Sequence, residues 1–98
     1  MTVRYGLLVH LQAKEGREKD LAAFLEAGRA LVMAEEGTVT WYAFSAGGPA
    51  YGIFDSFETE DARQAHLDGE VPVALAAAAA DLLATAPDIR PVDIIAAK

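Results

Sequence analysis

Few side chains in this 98-residue sequence are of the types that commonly carry out acid–base chemistry. The two histidines, His10 and His66, stand out because imidazole readily takes up and releases a proton near neutral pH. Asp55 stands inside an otherwise apolar run, either as a solvent-facing residue or as a hydrogen-bond partner for a histidine. These three residues are the first candidates for a site.

His66 follows two alanines, Ala62 and Ala65, with which it can share one face of a helix that looks toward the sheet. In that position His66 could act as a catalytic acid or base above a pocket, or it could be a half-buried histidine bonded to the backbone. His10 lies on a predicted strand and faces either that pocket or a subunit interface. His66 is therefore the catalytic candidate, and His10 and Asp55 are candidates for ligand binding.

Three aromatic residues on predicted strands, Trp41, Tyr51 and Phe54, could form the walls of a pocket for a flat ligand. Trp41, the only tryptophan, could equally belong to the core or to an interface. The histidines and carboxylates do not have the spacing of metal ligands, no glycine-rich loop suits a phosphate, and no serine stands in a nucleophile motif. We therefore expect neither a metal site nor a phosphate site.

The composition limits the class of protein. Hydrophobic residues make up 53% of the chain, which suits one packed domain over residues 1–98. The net charge of −7, with scattered basic residues, argues against a nucleic-acid partner. The absence of cysteine and of any long apolar run favours a cytoplasmic location and no membrane partner.

The hydrophobic pattern predicts seven elements. Alternation indicates strands over residues 5–11, 38–44, 51–57 and 89–96, and helical spacing indicates helices over 18–36, 59–67 and 71–84. A turn at 46–49 joins the second and third strands into a hairpin. This order predicts a ferredoxin-like βαββαβ fold of the α+β class, an antiparallel sheet with its helices on one face.

The strands are apolar on both sides, which predicts a partner. Leu8, Tyr42, Phe44 and Phe54 occupy one parity, whereas Trp41 and Ile53 occupy the other. Because helices cover only one face, the second apolar face needs another cover. A homodimer is the simplest solution.

The chain resembles the antibiotic biosynthesis monooxygenase family of dimeric α+β barrels. The resemblance rests on a helix that ends at Glu36-Gly37, the strand at residues 38–44, and residues 51–67, an apolar strand with an acidic end followed by a helix that carries a histidine and a leucine. It implies this fold, a homodimer and a pocket for a small hydrophobic or aromatic molecule. Members include cofactor-independent oxygenases of aromatic polyketides and quinols, and haem-degrading enzymes.

The sequence departs from the pattern of this family in two ways, and both argue against haem degradation. The sequence contains no asparagine, a residue used by the haem-degrading relatives and proposed for the polyketide-oxidising ones, and it has an alanine run where haem-degrading relatives place an iron-binding histidine. The remaining hypothesis is a cofactor-independent monooxygenase of small aromatic, phenolic or quinol-like compounds, with His66 as acid or base. The alternatives are a non-enzymatic ligand-binding or regulatory dimer, and a purely structural module.

Overall fold

A computed structural model describes residues 2–98 and contains the seven elements in the predicted order. They are β1 (Tyr5–Gln12), α1 (Glu18–Met33), β2 (Thr38–Ser45), β3 (Ala50–Phe57), α2 (Glu60–Leu67), α3 (Glu70–Leu82) and β4 (Asp88–Asp93). The prediction of an α+β ferredoxin-like fold is confirmed.

Three elements are shorter than the pattern suggests. The first helix ends at Met33 and not at residue 36, because Ala34 is its C-cap. The third helix ends at Leu82, two residues early, because Leu83 is extended and bridges to Ala13 beyond the end of β1. β4 stops at Asp93, opposite Tyr5, which is the first residue of β1. Beyond β4, Ile94 still donates a backbone hydrogen bond of 2.8 Å to the carbonyl oxygen of Arg4, which lies just before β1.

The four strands form one antiparallel sheet in the order β2-β3-β1-β4. β4 is an edge strand, and it contains Pro91 opposite Leu7. A proline cannot donate a ladder hydrogen bond, so the edge is where a strand tolerates it.

The helices cover one face of the sheet. Alternate residues of β1, namely Leu7, Val9 and Leu11, are buried on this face. Val9 and Leu11 pack with apolar residues of the helices, including Leu25 of α1 and Leu75 of α3, in one hydrophobic core. This layer holds the helices at a fixed distance from the sheet and so defines the spaces between them.

The other face of the sheet is uncovered in the single chain. Leu8, Phe54 and Tyr42 are paired across neighbouring strands on this face, and Tyr42 is 60% exposed. Gly52 provides room for the ring of Phe44, since a Cβ at Gly52 would lie 2.5 Å from Phe44 Cζ. The predicted second apolar face therefore exists, and we call it the open face.

Across residues 2–98, no helix has both the length and the apolar character needed to cross a membrane.

Candidate functional site

Three charged side chains meet where α2 packs on the sheet. His66 of α2 lies between Asp55 of β3 and Glu35, which belongs to the loop between α1 and β2. The His66 Nε2 atom is 3.0 Å from Asp55 Oδ2, and the His66 Nδ1 atom is 2.5 Å from Glu35 Oε1. The exposed fraction of the side chain is 1% for Asp55, 5% for His66 and 21% for Glu35. We call these three residues the charged cluster.

Local sequence explains why two members of the charged cluster meet. Thr59 begins α2 by accepting a hydrogen bond of 3.0 Å from the Ala62 N–H. About two helical turns later, His66 lies on the face of α2 that packs on the sheet, and it is buried there. Asp55 is opposite Leu7 of β1, on the sheet face that the helices cover. The start of α2 at Thr59 and the alternation of side chains along β3 thus bring the imidazole of His66 next to the carboxylate of Asp55.

The charged cluster favours a protonated histidine. Burial lowers the pKa of His66, but the hydrogen bonds to Asp55 and Glu35, together with their negative charges, outweigh this effect and raise the pKa above the ordinary value. The resulting imidazolium donates one N–H to each carboxylate. The ring then has no lone pair free to accept a proton from a ligand.

The carboxylate oxygens of Glu35 and Asp55 differ in how many hydrogen bonds they accept. Glu35 Oε1 accepts a hydrogen bond from His66 and a second one, of 2.7 Å, from the Thr38 hydroxyl. Asp55 Oδ1 is buried and has no hydrogen-bond partner. The cluster therefore contains more acceptor capacity than its own donors satisfy.

A cavity of about 160 Å³ lies beside His66. It is lined by Glu35, Glu36, Gly37, Thr38, Ala62, Ala65 and His66. Glycine and alanine at three of these positions leave the space open. The cluster is thus next to a space large enough for a small group of a ligand.

A second cavity, of about 110 Å³, lies between α1, α3 and the sheet. Its walls are apolar and consist of Phe24, Leu25, Ala27, Gly28, Leu31, Trp41, Ile53, Val71, Ala74 and Leu75. The indole Nε1 of Trp41 is buried without a hydrogen-bond partner. We call this space the apolar cavity, and it has no acid or base in its lining.

A wider groove of about 540 Å³ runs between α1 and β2. Trp41 and Leu25 line both this groove and the apolar cavity, while Glu35 lines both the groove and the cavity beside His66. The groove therefore brings the tryptophan and the charged cluster to one surface. Sequence reasoning placed Trp41, Asp55 and His66 in one site, and the structure brings them together: Trp41 pairs with Asp55 across the two strands.

The other three predicted ligand-binding residues lie elsewhere. Tyr51 and His10 line a separate depression at the hairpin end of the sheet. Tyr51 is four residues from Asp55 along β3, a separation of about 13 Å. His10 and Phe54 belong to the strand parity of the open face. The expectation that all these residues surround one pocket is therefore not met, because strand alternation and distance separate them.

Sequence reasoning missed Glu35. The signal available was the acidic pair Glu35-Glu36 directly after α1, which ends with Ala34 as its C-cap. Negative charge is unfavourable at the C-terminus of a helix, where the helix dipole is itself negative. Acidic residues at such a position indicate a compensating partner, which in this chain is His66.

Within residues 2–98, no group of three or more histidine, cysteine or acidic residues is arranged to hold a metal ion. In the charged cluster, both nitrogens of His66 are already bonded to carboxylates.

Comparison with known proteins identifies the fold class first. The structure of a putative antibiotic biosynthesis monooxygenase from Nitrosomonas europaea is similar to this chain with a TM-score of 0.80 and 14% identity, over 94% of this chain and 90% of that one. A second putative antibiotic biosynthesis monooxygenase, from Caulobacter crescentus, matches with a TM-score of 0.77 and 18% identity, over 96% and 92% of the two chains. The resemblance to the antibiotic biosynthesis monooxygenases is thereby confirmed for the fold.

A solved structure with a higher sequence identity shows the family to which this chain belongs. The crystal structure of NE2512 from Nitrosomonas europaea, a protein of unknown function, is 45% identical to this chain with a TM-score of 0.95, over 98% of this chain and 93% of that one. The chain belongs to the same family as NE2512. No family model matches the sequence. No curated protein matches it either.

Proposed function

We propose that this protein is a cofactor-independent monooxygenase that oxidises a small phenolic or quinol-like compound, with His66 in its acid–base centre. The observation that supports the proposal most directly is the buried charged cluster, which opens through Glu35 into a groove that Trp41 also lines. Buried titratable groups with shifted pKa values at a cleft are typical of functional sites. The fold shared with antibiotic biosynthesis monooxygenases adds support by analogy.

The groove suits a single aromatic ring. Its volume of about 540 Å³ lies within the usual range of small-molecule pockets, about 300–1,000 Å³. The indole of Trp41 provides a flat surface on which such a ring can stack. A ring bound there lies beside Glu35, so that a hydroxyl on the ring can reach the charged cluster.

The proposed reaction begins with transfer of the hydroxyl proton to the carboxylate of Glu35, the member of the charged cluster that lines the groove. The electron-rich ring then reacts with dioxygen: a carbon–oxygen bond forms, the oxygen–oxygen bond breaks, and the second oxygen leaves as water. Hydroquinone plus dioxygen gives hydroxybenzoquinone plus water. The ring supplies all four electrons, so the balance needs no further reductant.

Oxygen uptake tests this proposal. We expect the purified protein to consume dioxygen with hydroquinone or a substituted hydroquinone, one molecule of each per turnover. His66→Gln removes the positive charge that holds the two carboxylates of the acid–base centre, and it should lower the rate about 100-fold or more, the usual range for loss of acid–base catalysis. Gln64→Ala, on the exposed side of the same helix, should retain the rate. The absence of uptake by the unaltered protein over a broad panel of phenols and hydroquinones would exclude the proposal.

The apolar cavity supports a second candidate, a protein that binds a small hydrophobic ligand without changing it. No lining residue of this cavity can transfer a proton. Gly28→Ala is a suitable test, since the added Cβ would lie 3.7 Å from Trp41 Cη2, an ordinary contact, and would take up cavity space. The ligand-binding candidate predicts weaker binding of an apolar molecule such as benzene, without product formation. Unchanged binding in Gly28→Ala argues against it.

We also propose that the protein is a homodimer that covers the open face. Tyr42 and Phe44 are 60% and 39% exposed on this face, and burial of such a patch stabilises an interface. Light scattering should give twice the chain mass. Tyr42→Lys should shift the protein toward the monomer, whereas Val73→Lys, at a 68% exposed position of α3, should not. A monomeric unaltered protein would refute this part of the proposal.

A further inference from the structure

We propose that Glu35 is the residue that contacts the ligand, by accepting a hydrogen bond from a phenolic hydroxyl at Oε2, and that His66 and Asp55 are positioning residues that hold Glu35. This inference deepens the proposed function and rests on it for the phenolic class of the ligand. It replaces His66 by Glu35 as the group that meets the substrate.

The three members of the charged cluster differ in how far their side chains are exposed. Asp55 is 1% exposed and His66 is 5% exposed, and both ring nitrogens of His66 are bonded to carboxylates. Glu35 is 21% exposed and lines both the groove and the cavity beside His66. Of the three, Glu35 is therefore the most exposed and the one that a molecule bound in the groove can reach.

The hydrogen bonds of Glu35 leave one oxygen for a ligand. Oε1 is occupied by the His66 N–H and by the Thr38 hydroxyl. Oε2 has neither of these bonds. It lies close to the backbone of Gly69, since a Cβ at Gly69 would be only 3.3 Å from Oε2, a tight contact. A carboxylate that is held at one oxygen presents the other in a fixed direction, which reduces the entropy lost on binding.

The net charge of the site determines whether it favours a neutral or an anionic ligand. One imidazolium and two carboxylates leave the charged cluster with a net charge of −1, and Glu36 lies beside it. In the groove, Glu26 and Arg29 offset each other. The site therefore favours a neutral hydroxyl group that donates a hydrogen bond over a ligand that arrives as an anion.

Two ligands that differ by one hydroxyl test the inference without any oxidation. The first is 4-nitrophenol, and the second is nitrobenzene, which lacks the donor. Calorimetric titration at about pH 5.5 should show that the unaltered protein binds 4-nitrophenol more tightly. In Glu35→Gln this preference should fall about tenfold or more, the usual effect of losing a hydrogen bond to a charged group. Binding of nitrobenzene should not change.

Three further variants complete the experiment. Glu60→Gln, an exposed carboxylate of α2, should leave both affinities unchanged. Thr38→Val and Asp55→Asn alter how Glu35 is held, so each should reduce the preference for 4-nitrophenol by a smaller factor while nitrobenzene binds as before. Thr38→Val keeps the cluster charges and the side-chain shape, and it tests the inference even where Glu35→Gln does not fold.

The outcomes are distinct. Equal weakening of both ligands by Glu35→Gln would mean a merely structural role and would overturn the inference, as would equal affinities of the unaltered protein for the two ligands. A hydroxyl preference that depends on Glu35, in a protein that consumes no oxygen, would support the inference and exclude the monooxygenase proposal.

Discussion

The replacement of Asp55 by asparagine probes the charge state of the cluster with almost no change in shape. The asparagine oxygen can still accept a hydrogen bond from His66 Nε2, but the negative charge next to the imidazolium is lost. A hydrogen bond to a charged group contributes about 1.5–3 kcal/mol. Because Asp55 is 1% exposed, solvent screens little of this effect. We expect Asp55→Asn to lower the free energy of unfolding by about 2 kcal/mol at about pH 5.5.

The size of this loss should depend on pH in a known direction. The pKa of His66 is raised in the folded state, so its stabilising effect is fully present below the unfolded value of 6.5 and is lost as the pH rises through the folded value. Asp55→Asn removes one cause of that rise. At a high pH, above the raised pKa of His66, the ring becomes neutral and has one N–H, and an asparagine amide can then supply the missing donor. The difference between the two proteins should therefore shrink toward zero at high pH.

Urea unfolding followed by the fluorescence of Trp41, the only tryptophan, measures this difference at both pH values. A loss of 2 kcal/mol corresponds to a fall in Tm of about 8–16 °C for a domain of this size. Protein concentration must be equal in all samples, since association adds to stability. Asp93→Asn, an exposed position in β4, is the control and should change little. An equal loss of unfolding free energy at both pH values would refute the conclusion that His66 is protonated in the folded protein at about pH 5.5.

Two further substitutions test how the fold positions the site. Gly52→Ala should destabilise the protein by about 1–3 kcal/mol, since the new Cβ would lie 2.8 Å from the Val9 carbonyl oxygen and 2.5 Å from Phe44 Cζ; an unchanged urea midpoint would contradict this. Thr59→Ala removes the N-cap of α2, and thermal unfolding should show a loss of about 1 kcal/mol. Thr59→Ser, which keeps the hydroxyl, should retain most of the stability, and equal losses in the two variants would argue against the cap.

Local patterns of the sequence were sufficient for the element order. Helical spacing and the cap at Thr59 depend on neighbouring residues, so α2 and the inward face that carries His66 follow from the chain itself. Strand alternation likewise predicted the open face. The same alternation places Phe54 with Tyr42 and away from Trp41, so the exclusion of Phe54 from the site required only the sequence.

The contacts of the charged cluster were decided by the tertiary structure. Glu35 and His66 are 31 positions apart, and no local pattern specifies that the end of α1 meets α2. The length of the sheet and the packing of α1 determine that Glu35 reaches His66 while Tyr51 lies at the other end of β3. The types of residue therefore indicated acid–base chemistry, whereas three-dimensional packing determined which carboxylates surround the histidine and which of them a ligand can reach.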